Sequence, residues 1–242
     1  MARPSVTAIL ALYNGATYLR EALDSILAQN YPKLDIIAID DGSTDATAET
    51  LQAYAQINYH YQENAGVAAA RNRAVEIASG EWLAFLDQDD VWLPNKLEQQ
   101  INFVEANPQL EIVLGQQSVF LDDEIEKPGW IKEQHIDNDH TGYHLGTALI
   151  RRSVFEKVGL FDPQYRLSSD SDWFFRAKEL GIQTGTFPGV VLRKRVHDEN
   201  ESAHAQLSGQ ELLKVVRSRL ARNKQTNASN TSLLYTSPSP RD

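Results

Sequence analysis

Three carboxylates, Asp87, Asp89 and Asp90, fall within four residues directly after the apolar run Leu83-Ala84-Phe85-Leu86. Like charges this close repel one another and lose solvation, so the cluster needs compensation. A divalent cation supplies it, and the hard ions Mg2+ and Mn2+ prefer carboxylate oxygens. A metal held in this way commonly carries a phosphorylated ligand. The plainer alternative is a solvated acidic turn. Other apolar runs end in polar groups too: Leu12-Tyr13-Asn14, Asp40-Asp41-Gly42-Ser43 and Glu63-Asn64-Ala65-Gly66. Asp40 or Asp41 can accept hydrogen bonds from a base imide or from ribose hydroxyls. Helix capping is the alternative there, and Ser43 and Asp45 are suited to it. Arg71, just beyond Gly66, suits a base or a phosphate through its planar fork, with a surface ion pair as the other possibility.

Groups of this kind meet only if a scaffold brings their strand ends to one rim. The sequence predicts strands over Val6–Leu12, Asp35–Asp40, Ile57–Tyr61 and Trp82–Leu86. They alternate with helices over Leu19–Gln29, Asp45–Gln56, Gly66–Ala78 and Pro94–Ala106. Tyr31-Pro32 closes the first helix, and Pro94 suits the first turn of the fourth. Four strand–helix units in order imply a doubly wound, mostly parallel α/β sheet with right-handed crossovers. In such a sheet ligands bind outside the carboxyl ends of the strands. The second half is less regular. Ile112–Leu114, Ala148–Arg151 and Val190–Arg193 read as strands, Ser153–Val158, Asp172–Leu180 and Gln206–Lys224 as helices, and Asp122–His140 as a loop or lid.

Composition removes several classes. A net charge of −10 argues against nucleic acid as a partner. Residues are 42% hydrophobic, and no apolar stretch approaches a spanning helix. No secretory signal is visible ahead of the first strand, and the absence of cysteine excludes disulfide and thiolate chemistry, which fits a cytoplasmic setting. There is no Walker A loop and no Gly-x-Gly-x-x-Gly turn, which lowers kinase-like and nicotinamide-dependent readings. Residues 232–242 lack periodicity and resemble a translated sequencing adapter, so they are set aside. The acceptor patterns at Asn227 and Asn230 are expected to go unmodified.

Ordered motifs give the chain a family likeness. They are Ala11-Leu12-Tyr13-Asn14, Ile39-Asp40-Asp41-Gly42-Ser43-Thr44-Asp45, Asn64-x-Gly66-x-x-x-Ala70-Arg71-Asn72 and Leu86-Asp87-Gln88-Asp89-Asp90. Val158-Gly159-Leu160-Phe161-Asp162 and Ser169-Asp170-Ser171-Asp172-Trp173-x-x-Arg176 follow. From about Ser5 to Asn200 the chain resembles a family 2 glycosyltransferase of the GT-A fold. That resemblance implies inverting transfer of a sugar from a nucleoside diphosphate, with UDP expected, to an acceptor hydroxyl. It implies a nucleotide-sugar-binding half over residues 1–115 and an acceptor-binding half over 116–205; the residues themselves add a C-terminal amphipathic helix over 206–226 and a non-native or disordered tail over 227–242.

Residue by residue, the resemblance puts Asp40 against the base, Asp87 near the ribose and Asp89 on Mn2+ or Mg2+. Leu12, Tyr13, Asn14, Asp41, Asn64, Gly66, Arg71 and Gln88 complete the donor site. The general base falls on Asp170, with Asp172 as the alternative; the family often carries Glu where Ser169 stands. Asp170 can also be read as a helix cap. His197, in Arg193-Lys194-Arg195-Val196-His197, matches a segment that reaches the metal or diphosphate, or is simply structural. His144 and Trp173 either line the acceptor pocket or pack. No Gln-x-x-Arg-Trp motif is present, so single-sugar rather than processive transfer is implied. The acceptor is a carbohydrate or a lipid-linked one. The basic C-terminal helix can lie on an anionic membrane at its inner face or pack on the domain. The competing functions are a sugar-phosphate nucleotidyltransferase and a non-catalytic glycan-binding module.

Overall fold

The computed structural model describes residues 3–122, 140–141, 144–197, 200, 209–220 and 222. Its first half follows the alternation closely: β1 Val6–Leu12, α1 Leu19–Leu27, β2 Leu34–Asp41, α2 Thr47–Leu51, β3 Asn58–Gln62, α3 Val67–Ile77 and β4 Trp82–Asp87. Then come β5 Val91–Trp92, α4 Lys96–Ala106, β6 Ile112–Leu121, β7 His140–Thr141, β8 Ala148–Arg151, α5 Ser153–Val158, α6 Ser169–Glu179 and β9 Thr184–Val196. Residues 209–220 form a further helix, α7.

The strands make one nine-stranded sheet in the order β3-β2-β1-β4-β8-β6-β9-β5, with β7 on β6. β3, β2, β1, β4, β6 and β9 run the same way, while β8 and the two-residue β5 and β7 oppose them. This is the mostly parallel α/β sheet expected from the sequence.

Alternation along the strands loads both faces, as the two-residue period of a strand requires. On β1, Ala8, Leu10 and Leu12 join the α1 and α4 side chains Leu23, Ile26, Leu97 and Ile101 in one core. Ile9 faces the other way, into a core with Ala70 and Ala74 of α3, Phe155 of α5 and Trp173 of α6. Alanines on α3 let that helix lie close to the sheet, which brings Arg71 over the strand ends.

Several expected boundaries differ. The second helix is only Thr47–Leu51. Asp45 stays outside it, its carboxylate accepting from Thr47 N and Ala16 N, and turn bonds from Ala53 N to Thr50 O and from Tyr54 N to Leu51 O tighten its far end. The third helix is one residue shorter at each end, and the sixth shifts, α6 beginning at Ser169 rather than Asp172. β6 and β9 are far longer than expected because they pair with each other in parallel, absorbing register shifts around Gln116. The expected loop over 122–140 lies almost wholly outside the described residues, as does the tail over 227–242.

Lys96 is fully buried on α4, its Nζ donating to Gln100 Oε1 at 2.7 Å and to Ala148 O at 3.4 Å. Burial pushes its pKa down to about 7 from 10.5. The unfolded chain therefore binds more protons than the folded one between these values, and this residue's contribution to stability rises with pH across that window. Each unit is worth about 1.4 kcal/mol, so the ceiling is a few kcal/mol. Lys96→Met should flatten the rise in the denaturation midpoint between pH 7 and pH 9.5. A variant whose midpoint climbs as much as that of the wild type would show that the ammonium is not charge-penalised by burial.

Candidate active site

The acidic turn occupies a junction. It leaves β4 at Asp87 and enters β5, and β5 pairs with β9 at the far edge of the sheet. The turn thus meets the end of β9, which delivers Lys194, Arg195 and His197. Asp90 is fully buried. It accepts Arg195 N at 2.9 Å and faces Lys194 Nζ at 3.5 Å. Burial pushes the Asp90 carboxyl up to about 6. Burial also opposes the charge of Lys194, but Asp90, Asp87 and Asp89 outweigh it and hold the ammonium protonated. Asp87 accepts Arg71 Nη2 at 2.7 Å and lies 3.4 Å from His144 Nε2. Burial works against its ionisation, yet Arg71, His144 and Lys194 keep its carboxyl well below the usual range. Much of the compensation that a metal was expected to supply therefore comes from two fixed cations, Arg71 and Lys194.

Asp89 differs from its neighbours. Its Oδ2 meets His197 Nε2 and Asn200 Nδ2, each at 3.0 Å. Its Oδ1 has no bond to the described residues, and neither Arg71 nor Lys194 pairs with it. His197 packs against Tyr18 with ring centroids 4.7 Å apart, and its own N donates to Asn200 Oδ1. Asp87, Asp90 and His144 also bring ligand-type atoms within 4.8 Å of one another. That trio is a poorer cation site. Arg71 and Lys194 already neutralise both carboxylates, and His144 Nδ1 accepts from Gly146 N, which leaves the proton on Nε2. A partly buried carboxylate backed by an imidazole and an amide has the chemistry of a divalent-cation ligand.

The donor-side residues form two linked groups. Gln88 exchanges a reciprocal pair of bonds with the Tyr13 backbone, both at 2.9 Å, which ties the end of β1 to the acidic turn. A side chain at Gly15 would strike the Gln88 amide at 2.3 Å, so glycine there leaves room for Gln88 to reach Tyr13. Asn14, at φ 49°, donates from its N to Ser43 and accepts from Thr44 N. Asp40 is buried, with Ser43 N and Tyr59 Oη on its two oxygens. Burial, with Asp40 behind it, pushes the Tyr59 phenol up to about 12. Asp41 accepts from Gln62 Nε2, Ala65 N and Gly66 N, so it organises the loop entering α3. Gly66 adopts φ 90° there with open space beside it, and Asn64 packs its backbone against Gly42. The Leu12 side chain is in the core, leaving only its backbone for the rim.

On the other half, Asp170 sits in the first turn of α6, its Oδ1 accepting Ser171 N at 2.7 Å. It makes no hydrogen bond to the acidic turn among the described residues. Asp172 is 2% exposed and engaged by Arg176 at 2.7 Å and Arg222 at 3.5 Å. Trp173 does not line a pocket: it is fully buried, stacked on Phe155 at 4.6 Å, and donates from Nε1 to Gly159 O. His144 lies instead at the acidic turn, against Asp87.

Lys194, Asn200, Tyr59 and Asn72 were not singled out by sequence reasoning. Asn72 exchanges two 2.8 Å bonds with the Phe161 backbone and so joins α3 to the segment ahead of α6. Its only sequence signal is its place beside Arg71 in the Asn64–Asn72 motif. Asn200 likewise follows His197 closely in the chain.

With this geometry in view, comparison with known proteins gives a consistent answer. A model of the family described as Glycosyl transferase family 2 matches residues 7–159. The chain belongs to that family. It is 34% identical over 208 residues to an uncharacterized glycosyltransferase of Rickettsia typhi, covering 81% of this chain and 65% of that protein. A putative teichuronic acid biosynthesis glycosyltransferase, TuaG of Bacillus subtilis, is 41% identical over 107 residues, 42% of each protein. Among solved structures, the mannosyltransferase PcManGT of Pyrobaculum calidifontis, in complex with GDP-Man and Mn2+, aligns with a TM-score of 0.66. It is 25% identical, and 90% of this chain and 65% of that one are covered. S. aureus TarS 1-349 with UDP aligns at 0.64 and 19% identity, over 86% and 65% of the two chains. These neighbours share the GT-A fold. The chain spans just under two thirds of the first relatives it matches.

Proposed function

We propose that the chain transfers one sugar, with inversion, from a nucleoside diphosphate sugar to an acceptor hydroxyl in glycan or cell-surface polysaccharide synthesis. The observation that carries this reading is the Asp89–His197–Asn200 cluster at the junction of the two halves, beside an Asp87 already neutralised by Arg71. Asp89, with His197, would hold a divalent cation, and Mn2+ or Mg2+ bound there would supply positive charge to the departing diphosphate. Asp40, Asp41, Asn14, Asn64, Gly66, Tyr13 and Gln88 shape the nucleoside pocket, and UDP is the expected carrier. Asp170 takes the proton of the acceptor hydroxyl. The acceptor oxygen bonds to the anomeric carbon on the face opposite the diphosphate, and the electron pair of the broken carbon–oxygen bond leaves with the nucleoside diphosphate. Asp172 is not assigned as the base, since both its oxygens are committed to arginines.

A lipid-linked acceptor reached from the cytoplasmic face of a membrane fits α7. Leu212, Leu213, Val216 and Leu220 are exposed there beside Lys214 and Arg217. No described helix is long and apolar enough to cross a membrane. The reading is tested by incubating the chain with UDP- and GDP-sugars and Mn2+, with and without phosphatidylglycerol vesicles. Release of a nucleoside diphosphate from one class, abolished by EDTA, is the expected result. Release from none of them would overturn the donor assignment, and failure to sediment with the vesicles would overturn the membrane seat.

A further inference from the structure

Glu211, on α7, is a buried carboxylate that serves no part of the chemistry above. Its oxygens accept from three consecutive backbone amides: Arg166 N at 3.1 Å, Leu167 N at 2.7 Å and Ser168 N at 3.2 Å. Burying an anion is costly unless donors surround it, and successive amides converging on one anion form such a cradle. These amides lead directly into α6. At a helix start the capping residue's own side chain usually supplies the acceptor, yet Ser168 makes no such bond. Glu211, on a helix more than forty residues away in sequence, binds instead the amide of the capping residue and those of the two residues before it.

The same helix holds α6 elsewhere. Ser218 Oγ meets Tyr165 Oη at 3.1 Å, and Arg222 reaches Asp172 in the first turn of α6 and Glu179 in its last. Glu211 and Ser218 lie seven residues apart on one side of α7, and Arg222, four residues further on, keeps the same helical spacing just past residue 220. Asn72 fixes the earlier end of this segment by its bonds to Phe161. The chain from Phe161 to Ser169 is thus anchored by α3 at one end and by Glu211 at the other, and Asp170 follows one residue on.

We infer that Glu211 is a positioning residue for Asp170, setting where the proposed base stands relative to the donor half. The inference rests on the reading of Asp170 as base. A misplacement of about 1 Å costs on the order of 100-fold in rate. Glu211→Gln keeps one acceptor oxygen but presents an amide N–H2 where only donors converge, and Glu211→Ala removes both oxygens.

The experiment measures three quantities in Glu211→Gln, Glu211→Ala, Asp170→Asn and the Glu211→Gln/Asp170→Asn double variant. They are hydrolysis of UDP-GlcNAc or GDP-mannose with Mn2+, affinity for the matching nucleoside diphosphate, and amide exchange over 166–170. The expected result is a turnover roughly 10- to 100-fold lower in the Glu211 variants. Nucleotide affinity stays within about threefold, exchange is faster at Leu167 and Ser168, and adding Glu211→Gln to Asp170→Asn costs nothing more. Additive losses, or a fall in nucleotide affinity, would show a general structural role and overturn the inference. Normal turnover in both Glu211 variants, with Asp170→Asn inactive, overturns the inference while sparing the base. Normal turnover in Asp170→Asn overturns both.

Discussion

Asp170→Asn is expected to bind nucleoside diphosphate normally and to transfer almost nothing. The substitution keeps shape and one acceptor oxygen, so the 2.7 Å bond that Asp170 Oδ1 takes from Ser171 N survives and α6 still begins at Ser169. What is lost is a group able to hold a proton. Removing a general base costs roughly 10² to 10⁴ in rate. Donor affinity should stay within about threefold, a difference below ~0.7 kcal/mol, because the partners proposed for the donor lie on β1, β2, α3 and the acidic turn. Purified variant and wild type are compared by calorimetry for UDP and by nucleoside diphosphate release for turnover. Turnover within about threefold of wild type would make Asp170 a helix-start residue and nothing more. Loss of both binding and thermal stability would give it a structural role. Asp172 is a weak substitute in either case: Arg176 and Arg222 occupy the lone pairs a proton would need.

Which parts of this could be read from the sequence follows from how local the signal is. β1 and β4 are continuous apolar runs closed by polar residues, and α1, α3 and α4 carry helical spacing, so each declares itself within about ten residues. β6 and β9 do not. Gly115-Gln116-Gln117-Ser118 and Thr184-Gly185-Thr186-Phe187-Pro188-Gly189 lack strand character, and they are extended because each is the other's parallel neighbour, seventy residues apart. The same limit applies to the site. Strand-end carboxylates were visible as a pattern, but Asp40, Asp41, Asp87, Asp89 and Asp90 look alike in sequence. They are separated only by their partners: Tyr59 and Ser43, the loop into α3, Arg71, His197 with Asn200, and Lys194. Each partner arrives from another strand or helix. The sequence therefore indicated where charge would collect, and the tertiary fold decides which charge is already balanced.

That balance singles out Asp89 for the second large effect. Of the turn's three carboxylates, Asp87 pairs with Arg71 and Asp90 with Lys194, while Asp89, among the described residues, bonds directly to Asn200 and His197 and feels Lys194 only at longer range. If a divalent cation binds here, it binds at the carboxylate that no described lysine or arginine side chain pairs with directly. Titrating UDP in Mn2+ and in EDTA should then give two different affinities for the wild type and a single, weak affinity for Asp89→Ala. Partners that only orient a metal ligand typically cost 10- to 100-fold when removed. Asn200→Ala should therefore weaken Mn2+-supported binding by about 10-fold, and Asp89→Ala by roughly 100-fold or more. The order of these losses is the test. Equal UDP affinity in Mn2+ and EDTA would remove the metal altogether. A larger loss in Asp87→Ala than in Asp89→Ala would move the cation to the Asp87–Asp90–His144 trio, with Arg71 displaced from its pair to make room. An Asn200→Ala variant as damaged as Asp89→Ala would mean that the amide, rather than the carboxylate, organises this end of the site.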